Sequence, residues 1–332
     1  MHPAFAGLVT IAFGLGGCLA YFYLSNKILD KVIFPARGAN AGRNINRANM
    51  VRPWLFLFPA LFVLTLYLAY PVVATLWLSF TDRDQGGAFV GLANYAQMMG
   101  EPKFWEAIRN NITWLIVVPA MSTAFGLLAA QLTDRITWGN IAKSLIFMPM
   151  AISFVGASVI WKLIYDTRPE GTDQIGVLNA IWVAWGGEPQ TWLTIMPWNN
   201  FLLMVVLIWI QTGFAMVILS AALRGIPEET VEAAIVDGAN PFQIFFKIKI
   251  PQIMSTIVVV WTTITLVVLK VFDIVLAMTN GQWGTQVLAN YMYDKMFRSF
   301  DWGVGSASAI MIMLLVTPIL AWNVRQVRRE MR

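Results

Sequence analysis

Seven stretches of the chain are apolar over nearly their whole length, near residues 3–24, 54–79, 110–131, 144–165, 200–223, 252–277 and 304–324. Each reaches the roughly 20 helical residues that cross a hydrocarbon layer. The runs are continuous and do not alternate apolar with polar in segments of about ten residues, so they predict helices and argue against a membrane barrel. The expected fold is all-α, a polytopic membrane helical bundle of about seven transmembrane helices. Residues 1–24 read as an accessory N-terminal helix. Residues 25–51, rich in Asn, Ala, Gly and Arg, read as a cytoplasmic linker, and a core spanning 52–332 starts at Arg52-Pro53. Leu15-Gly16-Gly17-Cys18 looks like a lipoprotein cleavage box, yet no Lys or Arg precedes the apolar run. The charged start of a signal peptide is missing, and the first run is read as a retained helix.

Composition agrees with that pattern. With 58% hydrophobic and 12% charged residues and a mean hydropathy of +0.64, the 332-residue chain carries too much apolar surface for one water-soluble core. The single cysteine, Cys18, permits no intrachain disulfide, and the single histidine is His2. Zinc sites built from His and Cys clusters are excluded, as is any catalytic triad needing an internal imidazole. Pro59, Pro71, Pro119, Pro149 and Pro318 fall inside the apolar runs and predict kinks.

Charge then orients the bundle. With the C-terminus in the cytoplasm, the inner side holds Lys27, Lys31, Arg37, Arg43, Arg47, Arg52, Arg135, Lys143, Arg224, Lys247, Lys249, Arg325, Arg328, Arg329 and Arg332. The outer side holds only Arg83, Lys103, Arg109, Arg168, Lys295 and Arg298. The excess places the C-terminus inside and, for seven spans, the N-terminus outside. Inner basic residues facing anionic lipid account for the net charge of +5, and no nucleic-acid partner is expected.

One connector is strongly polar. In Arg224–Phe242, Pro227 suits a first helical turn, Glu228 and Glu229 complement the positive end of a helix dipole, and Gly238 can end the helix in the left-handed conformation. Asn240-Pro241 restarts a second short helix. Val231, Ala234 and Ile235 share one face, away from most of Glu228, Glu229 and Glu232. A helix of about ten residues is marginal alone in water, so this one needs a docking groove. Its acidic polar face disfavours anionic lipid as the partner and favours protein.

Here the chain resembles a family. Glu232-Ala233-Ala234, then Gly238, Ile248 and Ile250-Pro251, are similar to the EAA motif of permease subunits in binding-protein-dependent ABC importers. Asp237-Gly238-Ala239 with the following Pro-Phe is typical of the carbohydrate branch, similar to the larger maltose-type permease subunit, over roughly residues 52–332. The resemblance implies a type I importer permease fold in a bacterial inner membrane, with residues 224–251 as a coupling loop that fits a cleft on a separate ATPase. Glu232 would then be the acidic contact, Gly238 the hinge and Pro251 the stop opening the sixth span. It also implies a second permease, an ATPase dimer and an extracytoplasmic sugar-binding protein as partners, with an α-glucoside as the specific substrate expected. No cofactor is expected on this chain, since it carries no G-x-x-x-x-G-K-[ST] to cradle nucleotide phosphates. ATP and magnesium would sit on the ATPase, and the chain is expected to be no enzyme.

Polar groups inside spans are costly and tend to face a cavity or the bundle. Trp209, Gln211 and Phe214 offer an amide for sugar hydroxyls and aromatic faces for ring C–H groups, although Gln211 could equally bond a neighbouring helix. Thr263, Lys270 and Asp273 on the sixth run are further candidates. Counted along a continuous helix from Pro251, Lys270 lies about 28 Å away, near the outer interface. There it snorkels or gates, as does Lys162, and Asp273, three residues on, can pair with Lys270. This chain has Val267, Val268 and Val271 where the maltose-type subunit is rich in Asn, so those sugar contacts do not transfer.

In the long outer loop 166–199, Thr172-Asp173 reads as an N-cap. Ile175, Leu178, Ile181, Trp182 and Trp185 follow at helical spacing, on a helix that lies on the membrane or docks a binding protein. The small residues Gly303 to Ala309 allow close packing of the last helix. The rival class, an ion-gradient-driven secondary transporter, would show duplicated halves and a carboxylate at the membrane centre, and neither is present. A membrane enzyme would need a nucleophile–base pair that the runs lack.

Overall fold

A computed structural model describes residues 3–38, 40–82, 86–134 and 136–330. His2, Arg83, Arg135 and Arg332 lie outside the described residues, as do the side chains of Arg328 and Arg329. The chain divides into two units, Met1–Ala74 and Thr75–Arg332.

The first unit pairs α1 (Pro3–Ile28) with α2 (Ala41–Leu64). Tyr21 donates to the Leu55 carbonyl at 2.8 Å, Arg52 pairs with Asp30 at 2.6 Å, and the Phe22 and Phe56 rings lie 5.5 Å apart. Most of the expected linker is therefore helix: the end of α1 and a π-helical turn at Leu29–Ile33 carry its first part, and residues 41–51 form the first turns of α2. A π-helical turn at Thr65–Ala69 leads into α3 (Tyr70–Leu78), so the ladder widens just before Pro71, which has no N–H to donate.

The second unit begins with a small hairpin, β1 (Thr81–Asp82) against β2 (Ala88–Phe89), with Thr81 opposite Phe89, and with α4 (Ala93–Gly100). Its centre is α5 (Pro102–Thr133) against α9 (Trp198–Arg224). These helices meet at Gly126, where any Cβ would collide with Ala215 and the Met216 backbone, so glycine sets how closely they approach. Around that seam Trp114, Leu203, Leu207, Met216 and Leu219 are buried, while Ile116, Leu128 and Leu145 point outward with more than half their surface free. Such a chain is apolar outside as well as inside, which suits a bilayer.

Two expected single helices are broken. The run at 144–165 is α6 (Gly139–Phe147), a 3₁₀ turn containing Pro149, then α7 (Phe154–Ile164), bent by 106°. Ser153 caps the restart by accepting from the Gly156 N–H at 3.1 Å. The run at 252–277 is bent by 72° at its entry and ends early. Here α13 (Met254–Val268) stops, and α14 (Asp273–Met278) is separate. The expected 28 Å of unbroken helix from Pro251 to Lys270 does not exist, and Lys270 lies in the turn between the two helices.

The last helices form a second packed cluster with α4 and the start of α5. α15 (Leu288–Tyr293), a π-helical turn at Asp294–Arg298 and α16 (Trp302–Glu330) pack together. The small residues opening α16 do allow close packing: a Cβ on Gly303 would meet the Asn94 side chain of α4, and one on Gly305 the Met296 backbone. Tyr291 donates to Glu101 at 2.8 Å, and Lys295 pairs with the same carboxylate. Burial and the Glu101 carboxylate raise the Tyr291 phenol above its ordinary range, so it stays a neutral donor.

Candidate functional site

The polar connector folds as a helix, a left-handed turn and a second helical start. α10 (Glu228–Val236) begins after Pro227, which occupies the N-cap, one position earlier than a first-turn residue. Glu228 and Glu229 fill the first turn, where carboxylates face unpaired N–H groups. At the other end Gly238 has φ +79°, its N–H donates to the Ile235 carbonyl (3.0 Å), and the Ala239 N–H donates to Ala234 (2.9 Å). This is a Schellman closure.

Asn240 then caps α11 (Pro241–Gln243) reciprocally: it accepts from the Gln243 N–H at 2.8 Å, while Gln243 Oε1 accepts from the Asn240 N–H at 2.9 Å. A π-helical stretch, Ile244–Lys249, continues into α12 (Ile250–Gln252), which holds Pro251, before the bend into α13.

The segment turns one residue inward and several outward. Ala234 is buried and Val231 half-buried, whereas Glu229, Glu232, Ala233, Ile235 and Asp237 are exposed. Val236 is 87% and Phe242 77% exposed, and Phe246 is exposed beside them. Val236 on α10 and Phe242 and Phe246 beyond the turn are thus large apolar groups left exposed on a segment that also exposes Glu229, Glu232 and Asp237. On its inward side Glu228 and Val231 line a cavity of about 550 Å³ with Gln131, Arg224 and Lys249.

A polar cluster that the sequence did not signal sits at the base of this segment. Asp134, at the end of α5, pairs with Lys143 of α6 and with Arg224 of α9 (3.2 Å). Ser220 donates to both Asp134 oxygens at 3.0 and 3.1 Å, and Lys143 donates to Ser220 at 2.8 Å. Three helices are pinned where α9 runs into α10. Lys143 and Arg224 counted in the sequence only as inner-side charge, because Asp134 stands 9 and 90 residues away from them.

The path candidates separate into groups. Trp209, Gln211 and Phe214 follow one another on α9, and α13, carrying Thr263, packs against α9. Gln211 is buried, and among the described residues its side chain forms no hydrogen bond, so the amide is not spent on a neighbouring helix. Trp209 meets the Trp161 ring edge-to-face at 5.8 Å.

Thr263 donates back to the Val259 carbonyl at 2.8 Å, and Thr265 back to Trp261 at 2.8 Å, leaving only their acceptor lone pairs. Among the described residues Lys270 and Asp273 form no ion pair. The helix break at 269–272 removes the three-residue spacing that would bring them together and makes Asp273 the first residue of α14.

The loop 166–199 also departs from expectation. Its helix, α8 (Val177–Ala184), starts four residues after Asp173, with Gly176 as N-cap. Thr172 and Gln174 are used in a turn instead: the Thr172 N–H donates to Pro169 (3.2 Å), and Gln174 bonds Arg168 on both its amide atoms (2.9 and 3.0 Å).

Comparison with known proteins agrees with this geometry. A family described as "Binding-protein-dependent transport system inner membrane component" matches residues 122–332. The chain is 64% identical, over 99% of both lengths, to the alpha-glucoside transport system permease protein AglF of Rhizobium meliloti (strain 1021). It is 48% identical to the osmoprotective compounds uptake permease protein GgtC of Synechocystis sp., covering 83% of this chain and 99% of that one. Its fold matches a solved bacterial ABC transporter involved in the import of the acidic polysaccharide alginate, with a TM-score of 0.72 at 20% identity, over 86% of this chain and 98% of that one. The chain belongs to the binding-protein-dependent transport system inner membrane components: it is a permease subunit of an ABC importer, a membrane-embedded transport subunit and not an enzyme.

Proposed function

We propose that this permease carries a neutral sugar, an α-glucoside, across the inner membrane, pairing with a second permease and driven by a separate ATPase dimer that binds ATP and magnesium. The observation that carries the coupling half is the capped helix–turn–helix at 228–243, with Ile235, Val236 and Phe242 exposed beside Glu229 and Glu232. In this reading Glu228, Glu229, Glu232, Ala233, Ala234, Asp237, Gly238 and Pro251 form the part that receives work from the ATPase. Trp209, Gln211 and Phe214 line the substrate path, with Thr263 facing it and Lys270 and Asp273 near its outer mouth. The C-terminus is cytoplasmic, and an extracytoplasmic binding protein delivers the sugar to the outer loops. The accessory helix 1–24 and residues 25–51 lie outside the core at 52–332.

Substrate class rests on the 64% identical relative, named for α-glucoside transport, together with an unspent buried amide, Gln211, on α9. The test is ATP-driven uptake of maltose, trehalose and sucrose into vesicles holding the assembled importer, wild type against Glu232→Lys. Uptake in the wild type and its loss in the variant, with the subunits still assembled, is the expected result. Equal uptake by both removes the coupling assignment.

A further inference from the structure

At the outer end of α7 lies a cavity of about 370 Å³, walled by Lys162, Tyr165, Asp166, Thr167, Trp192 and Thr194 with their neighbours. None of the motifs above uses it. Its shape is set from behind by one residue, Asn179 of α8, which is fully buried. Asn179 Nδ2 lies 2.9 Å from the Asp166 carbonyl, 2.9 Å from Thr167 Oγ1 and 3.0 Å from the Gln190 carbonyl, and its two N–H groups are shared among the three. Its Oδ1 accepts from the Gln190 N–H and from the Trp192 indole N–H, both at 2.9 Å. Every one of these bonds ends on a wall residue or on the residue next to one. Thr167 adds a 2.6 Å bond to the Gln190 carbonyl, and Trp182 packs edge-to-face on Trp192 at 6.0 Å. A buried amide saturated in this way makes a stiff hub.

The walls suit one ligand chemistry. Thr194 donates to the Thr191 carbonyl at 2.8 Å and the Thr191 hydroxyl, 2.8 Å from Thr194 Oγ1, can donate to it, so the two hydroxyls offer acceptor lone pairs, and the Trp192 ring offers a flat apolar face. Asp166 spends Oδ2 on Arg168 at 3.2 Å and has no described partner on Oδ1, while Lys162 forms no ion pair among the described residues. Asp166 can accept from a ligand hydroxyl and Lys162 can donate to one. Hydroxyls that both donate and accept, on a ring with an apolar face, fit all of these groups.

The cavity also adjoins the candidate path. Tyr165 is a wall residue, its ring lies 5.4 Å from Trp161, and Trp161 in turn packs on Trp209. The Trp161 indole N–H is buried and meets no acceptor among the described residues. A buried donor left open is costly unless something transient satisfies it.

We propose that this cavity is an outer subsite for a neutral sugar, which moves on past Trp161 to Trp209. The inference rests on the carbohydrate reading above. It is tested by equilibrium dialysis of radiolabelled maltose, trehalose and sucrose against the solubilised, fully assembled importer, with uptake measured on the same preparation. Asp166→Asn and Thr194→Val should each weaken binding of the transported sugar about tenfold while the subunits stay assembled. Trp192→Phe, which keeps an aromatic face but loses the indole N–H and its bond to Asn179, should weaken it less. Should one substitution prevent assembly, the other decides. Uptake with unchanged affinity in the assembled variants overturns the subsite alone, whereas a wild-type importer that takes up none of the three sugars overturns both the subsite and the carbohydrate reading.

Discussion

Ser220 donates to both oxygens of Asp134, at 3.0 and 3.1 Å, and thereby ties the last turns of α9 to the end of α5. Lys143 adds α6 to the same knot, and Arg224, also bonded to Asp134, stands three residues before the N-cap of α10. Force applied to α10 therefore reaches three helices through one carboxylate. Asp134→Asn keeps the size of the side chain and removes its charge. It should lower stability by about 1–3 kcal/mol, the range for a hydrogen bond to a charged group. Sugar imported per ATP hydrolysed should fall as well, with Asp134→Glu partly restoring it. Thermal unfolding and stoichiometry in the assembled importer measure the two effects, and a ratio unchanged in Asp134→Asn would reduce the cluster to a structural brace.

The turn after α10 depends on a backbone conformation more than on space. Gly238 has φ +79°, and a Cβ there would touch nothing within 4 Å. Gly238→Ala should therefore cost only the left-handed strain, about 1–2 kcal/mol, yet reduce uptake severalfold by loosening the Schellman closure. Gly238→Asn, which tolerates that conformation better, should fall between the two. An alanine variant with wild-type uptake would show that the turn has no part in coupling.

Gln211 is buried in α9 without a side-chain partner among the described residues. Gln211→Ala should then leave assembly and thermal stability nearly unchanged and raise the KM for the cognate sugar about tenfold, the signature of lost ground-state binding. Loss of stability with an unchanged KM would return Gln211 to helix packing.

Sequence made the local grammar legible where each rule concerns a few adjacent residues. The caps at Asn240 and Gly238 and the acidic first turn at Glu228 and Glu229 follow from side-chain and backbone chemistry within one turn. What it hid depends on residues far apart. The break that strands Lys270 in a turn falls inside an apolar, β-branched run with no glycine or proline to announce it. Nothing local marks Asn179, because the partners that explain it, Asp166 and Gln190, lie 13 and 11 residues away. The Asp134 cluster spans 86 residues to Ser220 and 90 to Arg224, and no periodicity reaches that far.

In the coupling proposed above, α10 and its flanking turn take mechanical work from a separate ATPase. Proteoliposomes holding the permease pair with the ATPase and binding protein should accumulate sugar only when ATP is supplied, and liposomes holding this chain alone should accumulate none under a proton or sodium gradient. Gradient-driven uptake by the chain alone would contradict the claim outright.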